Sequence, residues 1–455
     1  MSNGTTPGQA PPARRRSVFG PLIWITIGVL LLANNLGVNL RVGDLFWKYW
    51  PVFLILLGLV KIYEHYAAQR SGQAPARILS GGEIVLLIFL FVILGGAYGF
   101  RRAVEVGDID MSEVPWWNSY SFTDQASKAA KPGLPIHVTT TRGGITIRAA
   151  DTPEIQVTMT KSVSGNDEAD AESRAKLYSL LIEESPAGYD VRPQLPAGRS
   201  RRVSLSLEVL VPRKSAVTVR TEDGHVRVSG VNGDLAIHSG DGNVEVREVT
   251  GKVRIEAVDN VTVSSVQGDL EMSGRLDDID ISNVSGQASV RGEIYGSARL
   301  KNIGKQTVVE TNITRLTLSS LRGRLDLASG DLEVVDVPGN VHLTTRNKDI
   351  RFENITGRIQ IDNRRSGDVE IRLGQPPQQP IDIENEKGSV TLTLPPASAF
   401  EIQASSERGD TESDFQEGIT RNEVNRVARM EGKVGAKGPQ IQVRTTYGTV
   451  RLRKS

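Results

Sequence analysis

The chain has 455 residues and a net charge of +1, so its overall electrostatics give no reason to expect a nucleic-acid partner. It contains no cysteine, which excludes disulfides, thiolate metal sites and cysteine nucleophiles. Its 45 glycines and 5% aromatic residues indicate many tight turns around a core of small aliphatic side chains.

Three apolar runs lie near the N-terminus. Residues 1–16 are small and polar, which predicts a disordered tail. Residues 17–63 contain two of the runs, with interfacial Trp, Tyr and Lys residues, and we predict a two-helix transmembrane hairpin there. After a loop over 64–83, a third transmembrane helix is predicted at 84–100; at ~1.5 Å per residue it is about 26 Å long, just sufficient for the hydrocarbon core. A linker is expected over 101–133.

Three spans place the two ends of the chain on opposite sides of the membrane. Six basic residues fall on the side of the tail and four on the other side, which favours a cytoplasmic N-terminus and an extracytoplasmic C-terminal domain. The six are Arg14, Arg15, Arg16, Lys61, Arg70 and Arg77, and the four are Arg41, Lys48, Arg101 and Arg102. An alternative is that the first segment is a cleaved signal peptide, because a basic region precedes an apolar one. The length of the run and the lack of an A-x-A site argue against that alternative.

The phrase GPLIWITIGVLLLANNLG, followed by FWKYWPVFLILLGLVKIYE, resembles the LiaI/LiaF-like transmembrane region. The shared features are a glycine-containing first helix, a short Asn-Leu-Gly loop and a Trp-Pro opening to the second helix. The resemblance implies a membrane anchor. The third helix is not part of that pattern.

Alternation of apolar and polar residues predicts the first strands of a β domain within Leu134–Val163 and Arg202–Pro212. Between them, a helical insertion is predicted over 167–184. Its leucines fall at i, i+3 and i+4 spacing, its alanines favour a helix, and Asp167 can cap the start. We expect this helix to cover the side or the open end of the β domain.

From Ala216 onward the sequence repeats an apolar-x-apolar phrase, which is typical of short, half-buried strands. An apolar-x-Gly marker recurs along the same stretch, mostly at intervals of about 18 residues. The phrases begin at Val226, Leu235, Val244, Val253, Val261, Leu270, Ile279, Leu316, Leu325, Val341, Ile350, Ile359 and Val369, and the markers begin at Val231, Val249, Val266, Val284, Leu321, Val337 and Ile355.

A period of about 18 residues with two strands per period predicts a mainly β fold, a right-handed parallel β-helix or solenoid. The apolar pairs would point inward, and glycines would supply a positive φ at the corners. The regular part, Ala216–Leu394, holds about ten coils with one irregular coil near Ile303, a rod of roughly 50 Å at ~4.8 Å per coil. The whole solenoid domain is expected over 134–455, with Ile441–Val443 and Val450–Leu452 pairing back onto the sheet.

The phrases GDLAIHSGDGNVEVREVTG, VQGDLEMSG, SGDLEVVDVPG and SGDVEIRL resemble the bacterial "putative adhesin" solenoid family. The resemblance spans about Leu134 to Ser455. It implies a β-solenoid in the cell envelope and no reaction. With these two resemblances, the chain is similar in organisation to LiaF-type envelope proteins, which have a membrane anchor followed by a β-rich domain.

No catalytic, cofactor-binding or metal-binding residue is predicted. The Ser239–Gly242 turn superficially resembles a calcium loop, but the required G-G-x-G-x-D phrase does not repeat, so Asp234 and Asp269 are interpreted as turn residues at strand starts. No phosphate-binding loop is present. The five histidines do not pair at metal-ligand spacing; they are His65, His137, His225, His238 and His342. His238 follows a strand and His342 is the outward residue of one, and both are interpreted as solvated side chains.

These patterns favour a non-enzymatic, multi-pass protein of the bacterial cytoplasmic membrane. Its expected partners are the lipid bilayer and another envelope protein or a wall polymer, with no nucleic acid. LiaF-like envelope-stress signalling is one hypothesis. A second is a surface or periplasmic adhesin or scaffold that self-associates through the solenoid ends. A third is an enzyme that acts on polysaccharides with outward carboxylates, as some β-helix proteins do.

Overall fold

The computed structural model describes residues 119–165, 167–196 and 203–455. The predicted tail, transmembrane hairpin, loop and third helix, and residues 101–118 of the linker, lie outside these residues. Within the described part, no helix has the length and apolar character needed to cross a membrane. The same part is mainly β, with long sheets in which most neighbouring strands are parallel.

The elements fall into an N-terminal group, a repetitive central group and a C-terminal group. The N-terminal elements are β1 Ser119–Ala129, β2 Ile136–Arg142, β3 Ile145–Ala150, β4 Glu154–Ser164, α1 Glu168–Ala175, β5 Ser179–Ser185, β6 Gly188–Gln194 and β7 Val203–Pro212. The C-terminal ones are β28 Phe400–Arg408, β29 Thr411–Ser413, β30 Ile419–Val424, β31 Val427–Val434, β32 Gln440–Tyr447 and β33 Val450–Lys454.

The central group alternates between two sheets. Its strands are β8 Val217–Asp223, β9 Val226–Ser229, β10 Leu235–Ser239, β11 Val244–Thr250, β12 Val253–Ala257, β13 Val261–Gln267, β14 Leu270–Leu276, β15 Ile279–Val284, β16 Ala288–Ile294, β17 Ala298–Ile303, β18 Thr307–Glu310, β19 Arg315–Leu318, β20 Leu321–Leu327, β21 Asp331–Val337, β22 Val341–Arg346, β23 Asp349–Ile355, β24 Ile359–Arg364, β25 Val369–Arg372, β26 Ile381–Lys387 and β27 Val390–Leu394.

Two facing sheets run the length of the domain, and each coil gives one strand to each. Equivalent residues of successive coils pair directly, as Leu235, Val253, Leu270, Ala288 and Thr307 do, each with the next. Between 216 and 394, all of which is described, each sheet contains ten strands, which matches the expected ten coils. Sheet A has β9, β11, β13, β15, β17, β20, β21, β23, β25 and β27, and sheet B has β8, β10, β12, β14, β16, β18, β19, β22, β24 and β26.

The apolar-x-apolar pairs point inward, as predicted. Val244 and Val246 are at most 1% exposed, while Glu245 between them faces outward. Successive side chains of a strand lie on opposite faces, so each apolar pair stacks on the pair of the next coil. The apolar residue of each marker is also buried and forms a third inward row: Val231, Val249, Val266, Val284, Leu321, Val337 and Ile355.

The corner before the third row departs from the prediction that glycine supplies its positive φ. In six coils a non-glycine residue has φ between 54° and 59° there: Glu248, Ser265, Asn283, Asn302, Asp336 and Asn354. The marker glycines Gly251 and Gly268 do have positive φ, 142° and 159°, as predicted. They also permit close stacking of the coils. A Cβ on Gly268 would lie 2.0 Å from the carbonyl oxygen of Gly251, and one on Gly251 would lie 2.5 Å from that of Gly233.

One coil of the solenoid runs backwards, which the sequence did not predict beyond an irregularity near Ile303. β18 and β19 form an antiparallel hairpin, and β19 is also antiparallel to β22 in sheet B. In sheet A, β20 is antiparallel to both β17 and β21. The domain is therefore two blocks of parallel coils separated by the reversed coil β19–β20, and it is not a uniformly parallel β-helix.

Both chain reversals lie at the corner where strands of sheet B lead into strands of sheet A. The side-chain oxygens of Thr314 in the first turn and Thr345 at the end of β22 are 2.7 Å apart. Lys348, which is 2% exposed, donates to the carbonyl oxygen of Ala328 and, at 2.7 Å, to that of Ser329 in the second turn. Burial lowers the pKa of Lys348, and nearby Asp331 opposes that shift. The neighbouring coil thus holds both turns in place.

The N-terminal end corrects two predictions. β1 lies within the predicted linker and pairs with β4 along its whole length. The predicted helix over 167–184 is too long: α1 is capped by Asp167, whose Oδ1 accepts from Asp170 N at 2.8 Å, but it ends at Ala175. Residues 179–185 form β5, because Leu180 and Ile182 alternate toward the core in an antiparallel hairpin with β6.

A buried lysine joins the short helix to the first sheet. Nζ of Lys161, on β4, donates to the carbonyl oxygens of Ala175 and Tyr178 at 3.1 and 2.7 Å. It also lies 2.7 Å from Oδ2 of Asp124 on β1. The helix packs against β1 and β4, the two strands at the N-terminal end of their sheet.

The C-terminal strands pair back onto both sheets, as predicted. β32 lies between β26 and β28 in sheet B, and β33 lies between β27 and β29 in sheet A. The last two strands in sequence are therefore not the last in space. β31 and β30 extend sheet B by an antiparallel hairpin beyond β28.

Candidate functional site

The outward residues of the two sheets form ladders of ion pairs between coils. Arg227 and Glu245 approach to 3.3 Å, and Arg254 and Glu271 to 2.9 Å. Hydrogen bonds from Lys252 and then Arg254 hold the pKa of Glu271 below its usual value. Exposed pairs of this kind contribute up to about 1 kcal/mol each. Pairing between coils thus explains a number of the outward charges without a catalytic role.

The Gly-Asp phrases have a structural use in coil stacking. Oδ1 of Asp234 accepts from the backbone N–H of Lys252 at 2.9 Å, and Oδ1 of Asp269 accepts from that of Gln287 at 2.9 Å. Each carboxylate therefore satisfies a donor one coil further along the chain. This geometry fits the interpretation of these aspartates as turn residues.

The histidines lie apart from one another in the described residues. His238 Nδ1 lies 3.0 Å from Oε2 of Glu256, and His225 Nδ1 accepts from the backbone N–H of Asn243 at 3.1 Å. His342 is an exposed, outward residue of β22, and His137 occupies an outward position of β2. His65 lies outside the described residues. Across the described residues, no three His, Asp or Glu side chains are placed to share a metal ion.

Two aspartates interact at the corner near Ser239–Gly242. A hydrogen bond with Asp259 is the main cause that raises the pKa of Asp241, and burial and the charge of Asp259 add to it. Asp259 Oδ2 accepts from the backbone N–H of Gly242 at 2.8 Å. The pair makes the stability of one corner of the solenoid sensitive to pH.

A groove of about 530 Å³ lies over the third inward row of the solenoid, beside the reversed coil. The loop 374–380, GQPPQQP, forms one wall, and the other lining residues come from β20, β21, β23, β24 and β26 and from the turns between strands. The loop makes its coil longer than the preceding one. Ile359 and its partner Ile381 are further apart in sequence than Val341 and its partner Ile359. Polar residues border the opening: Arg322, Asp336, Asn354, Gln375, Gln378 and Gln379.

The sequence prediction did not identify this groove. The available signal was the longer interval and the cluster of prolines and glutamines at 375–380, which interrupts the repeat. Arg322 could not be assigned to the same place as Asp336, because their proximity depends on the reversed direction of β20. Asn354 Nδ2 donates to Asp336 Oδ1 at 2.9 Å, so these two side chains form a fixed polar ledge.

Comparison with known proteins agrees with both resemblances. Residues 19–109 match the LiaF transmembrane domain family, and residues 259–453 match the Toastrack DUF4097 family. The chain is thus similar to a LiaF transmembrane domain in its N-terminal part and to a Toastrack domain in its C-terminal part. The two matches indicate a membrane-anchored envelope protein. No curated protein matches the chain.

Solved structures with detectable similarity include a "putative cell adhesion protein" from Clostridium sporogenes (9% identity, TM-score 0.15, 73% of this chain and 100% of that chain). Two others are described as "putative adhesin". The one from Bacteroides fragilis has 10% identity and a TM-score of 0.23, and covers 73% of this chain and 97% of its own. The one from Parabacteroides distasonis has 9% identity and a TM-score of 0.20, with the same coverage. These TM-scores are too low to define the fold, which is defined by the strand pairing described above.

Proposed function

We propose that this protein is a non-enzymatic, multi-pass protein of the bacterial cytoplasmic membrane whose solenoid is an extracytoplasmic binding or scaffold surface. Three transmembrane helices would anchor it at residues 17–63 and 84–100, and the coil would be right-handed. Its partner would be another envelope protein or a wall polymer. A role in LiaF-like envelope-stress signalling belongs to the same proposal.

The observation that supports this proposal is the regular outward surface of the two sheets. Outward side chains occupy equivalent positions in successive coils. Arg351 on β23 and Glu370 on β25, for example, form an ion pair at 3.3 Å. Neighbouring outward positions also hold Thr, Gln and Ser side chains. A rigid array of side chains with a fixed spacing can bind an extended partner at several coils at once, which favours a recognition role.

A topology measurement tests where this surface lies. Alkaline phosphatase fused after Ser455 is expected to be active, because the enzyme folds only outside the cytoplasm. A matched fusion within 64–83 is expected to be inactive. An inactive C-terminal fusion with an active loop fusion would place the solenoid in the cytoplasm and overturn the proposal.

Partner binding is tested by photo-crosslinking in intact cells. A photoreactive residue replaces His342 on sheet B or Arg351 on sheet A, both of which face outward. A specific crosslinked partner from one face and a weaker yield from the other would support a directional binding surface. Absence of any crosslink from both faces, with the protein at normal abundance, would count against it.

A second candidate is self-association through the solenoid ends, supported by the edge strand β1. This strand pairs with β4 on one side along its whole length, and Tyr120 and Phe122 pack against the core. The outer edge of such a strand can accept another strand. Sedimentation of the full chain in detergent would distinguish the candidates, because a strictly monomeric protein would exclude end-to-end assembly. The enzymatic alternative would need turnover of polysaccharides by the purified chain.

A further inference from the structure

The groove beside the reversed coil lies where the backbone hydrogen bonds between coils, next to the third inward row, are interrupted. In earlier coils a backbone N–H donates to the carbonyl oxygen one coil back, as Gly304 does to Val284 at 2.8 Å and Thr356 does to Val337 at 3.1 Å. The next coil places Pro376 in the loop that follows, and proline has no N–H to donate. No backbone N–H of residues 374–380, all of them described, reaches the carbonyl oxygen of Ile355.

The floor of the groove is apolar and its opening is polar. Val337, Ile355 and Leu373 are at most 4% exposed, and Pro377 is buried beside them. The volume of about 530 Å³ falls within the range of ordinary ligand sites. A ligand with one apolar face and many hydroxyl groups matches such a floor and rim.

The polar rim has free hydrogen-bonding capacity of both kinds. Arg322 has no ion-pair partner among the described residues, whereas many outward arginines of the ladders are paired. One oxygen of Asp336 accepts from Asn354, and no partner within the described residues contacts the other. The guanidinium is a donor, the carboxylate is an acceptor, and the amides of Asn354 and Gln378 are both. A hydroxyl group is also both donor and acceptor, so vicinal hydroxyls can bond to this set without an unpaired group.

We propose that this groove binds an uncharged saccharide segment of an envelope polymer. The inference rests on the proposed function and names the ligand class of the binding surface. The opposite charges of Arg322 and Asp336 cancel across the rim, which disfavours a polyanionic polymer. An added peptide strand would need alternating backbone donors and acceptors along an edge, and the prolines of the loop remove the donors on one side.

The test uses the full chain in nanodiscs and calorimetry with defined probes. These are the tetrasaccharide of N-acetylglucosamine, maltotetraose, a glycerol-phosphate oligomer and a proline-rich peptide of similar size. At least one neutral tetrasaccharide should bind to the wild type. Arg322→Ala and Asp336→Asn should each weaken it tenfold or more, because each removes a charged hydrogen-bond partner. Asparagine tolerates the positive φ of residue 336, so the second variant should fold. Arg346→Ala, an exposed arginine outside the groove, should have no effect.

Three results would overturn the inference: no binding of either neutral probe to the wild type, equal binding by wild type and both groove variants, or groove-dependent binding of only the phosphate oligomer or the peptide. The proposed function is judged separately by the crosslinking experiment. If crosslinks form but the saccharides do not bind, only the saccharide site is wrong. If neither is observed, both proposals fail.

Discussion

The inward orientation of the repeated valines gives the sharpest test of the fold. Val246 is completely buried and pairs with Val228 and Val263 in the adjacent coils. Val246→Asp would lose about 1.5–3 kcal/mol of apolar burial. It would also bury a carboxyl group without a partner, which adds at least ~2 kcal/mol even if the group becomes protonated. The expected destabilisation is therefore about 4 kcal/mol or more.

Because each coil contacts mainly its two neighbours, the damage should be local. Hydrogen exchange of the full chain in nanodiscs should show lost protection in β9, β11 and β13, with retained protection in β25 and β27. Ser264→Asp, at an outward position on the adjacent strand opposite Arg247, is the matched control and should leave exchange unchanged. If Val246→Asp kept wild-type protection and melting temperature, the inward assignment would be refuted.

Three further predictions concern the corners. Lys348→Met removes two charged hydrogen bonds from the second reversal turn and should destabilise the domain by about 2–4 kcal/mol in denaturant unfolding, whereas the exposed control Lys305→Met should change it by less than ~0.5 kcal/mol. Gly268→Ala forces a Cβ to 2.0 Å from a carbonyl oxygen and should lower the melting temperature, whereas a Cβ at Gly330 meets nothing within 4 Å and Gly330→Ala should be neutral. The pKa of Asp241 is raised in the folded state, so the unfolded chain binds fewer protons near that pH. The free energy of unfolding should therefore fall as pH rises from 3.8 through the raised pKa. Asp241→Asn should remove that pH dependence.

Each of these three is open to a clear contradiction. Equal unfolding of the Lys348 and Lys305 variants would mean that the lysine does not hold the turn. A melting temperature unchanged by Gly268→Ala would show that the coils can separate at no cost. An unaltered pH slope in Asp241→Asn would assign the pH sensitivity to other groups.

Several features followed from local sequence alone. The alternation of Val244, Glu245 and Val246 defined which side chains face inward, since a strand exposes alternate residues to its two faces. Asp167 was identified as the helix cap from its residue type and position, and Asp234 and Asp269 as turn residues. The return of the final strands to the sheets was also correct, because their alternation matches that of the repeat.

Other features depended on long-range pairing. Leu177, Leu180 and Leu181 have helical spacing, and only the hairpin partner β6 makes residues 179–185 a strand. The non-glycine residues with positive φ before the third inward row were not predicted, because the need for that conformation is visible only when coils are stacked. The groove required the same knowledge, since its rim joins residues from β20, β21 and β23.

The sequence by itself determined the anchor, the length of the repeat and the inward face of nearly every strand. These follow from hydrophobicity and from the alternation of side chains along a strand, which are local properties. Only the tertiary structure decided the direction of β19 and β20. An apolar-x-apolar phrase has the same pattern when it is read in either direction, so it buries the same side chains whether the strand is parallel or antiparallel. Strand direction is determined by the turns and their contacts, here Thr314 with Thr345 and Lys348 with the second turn.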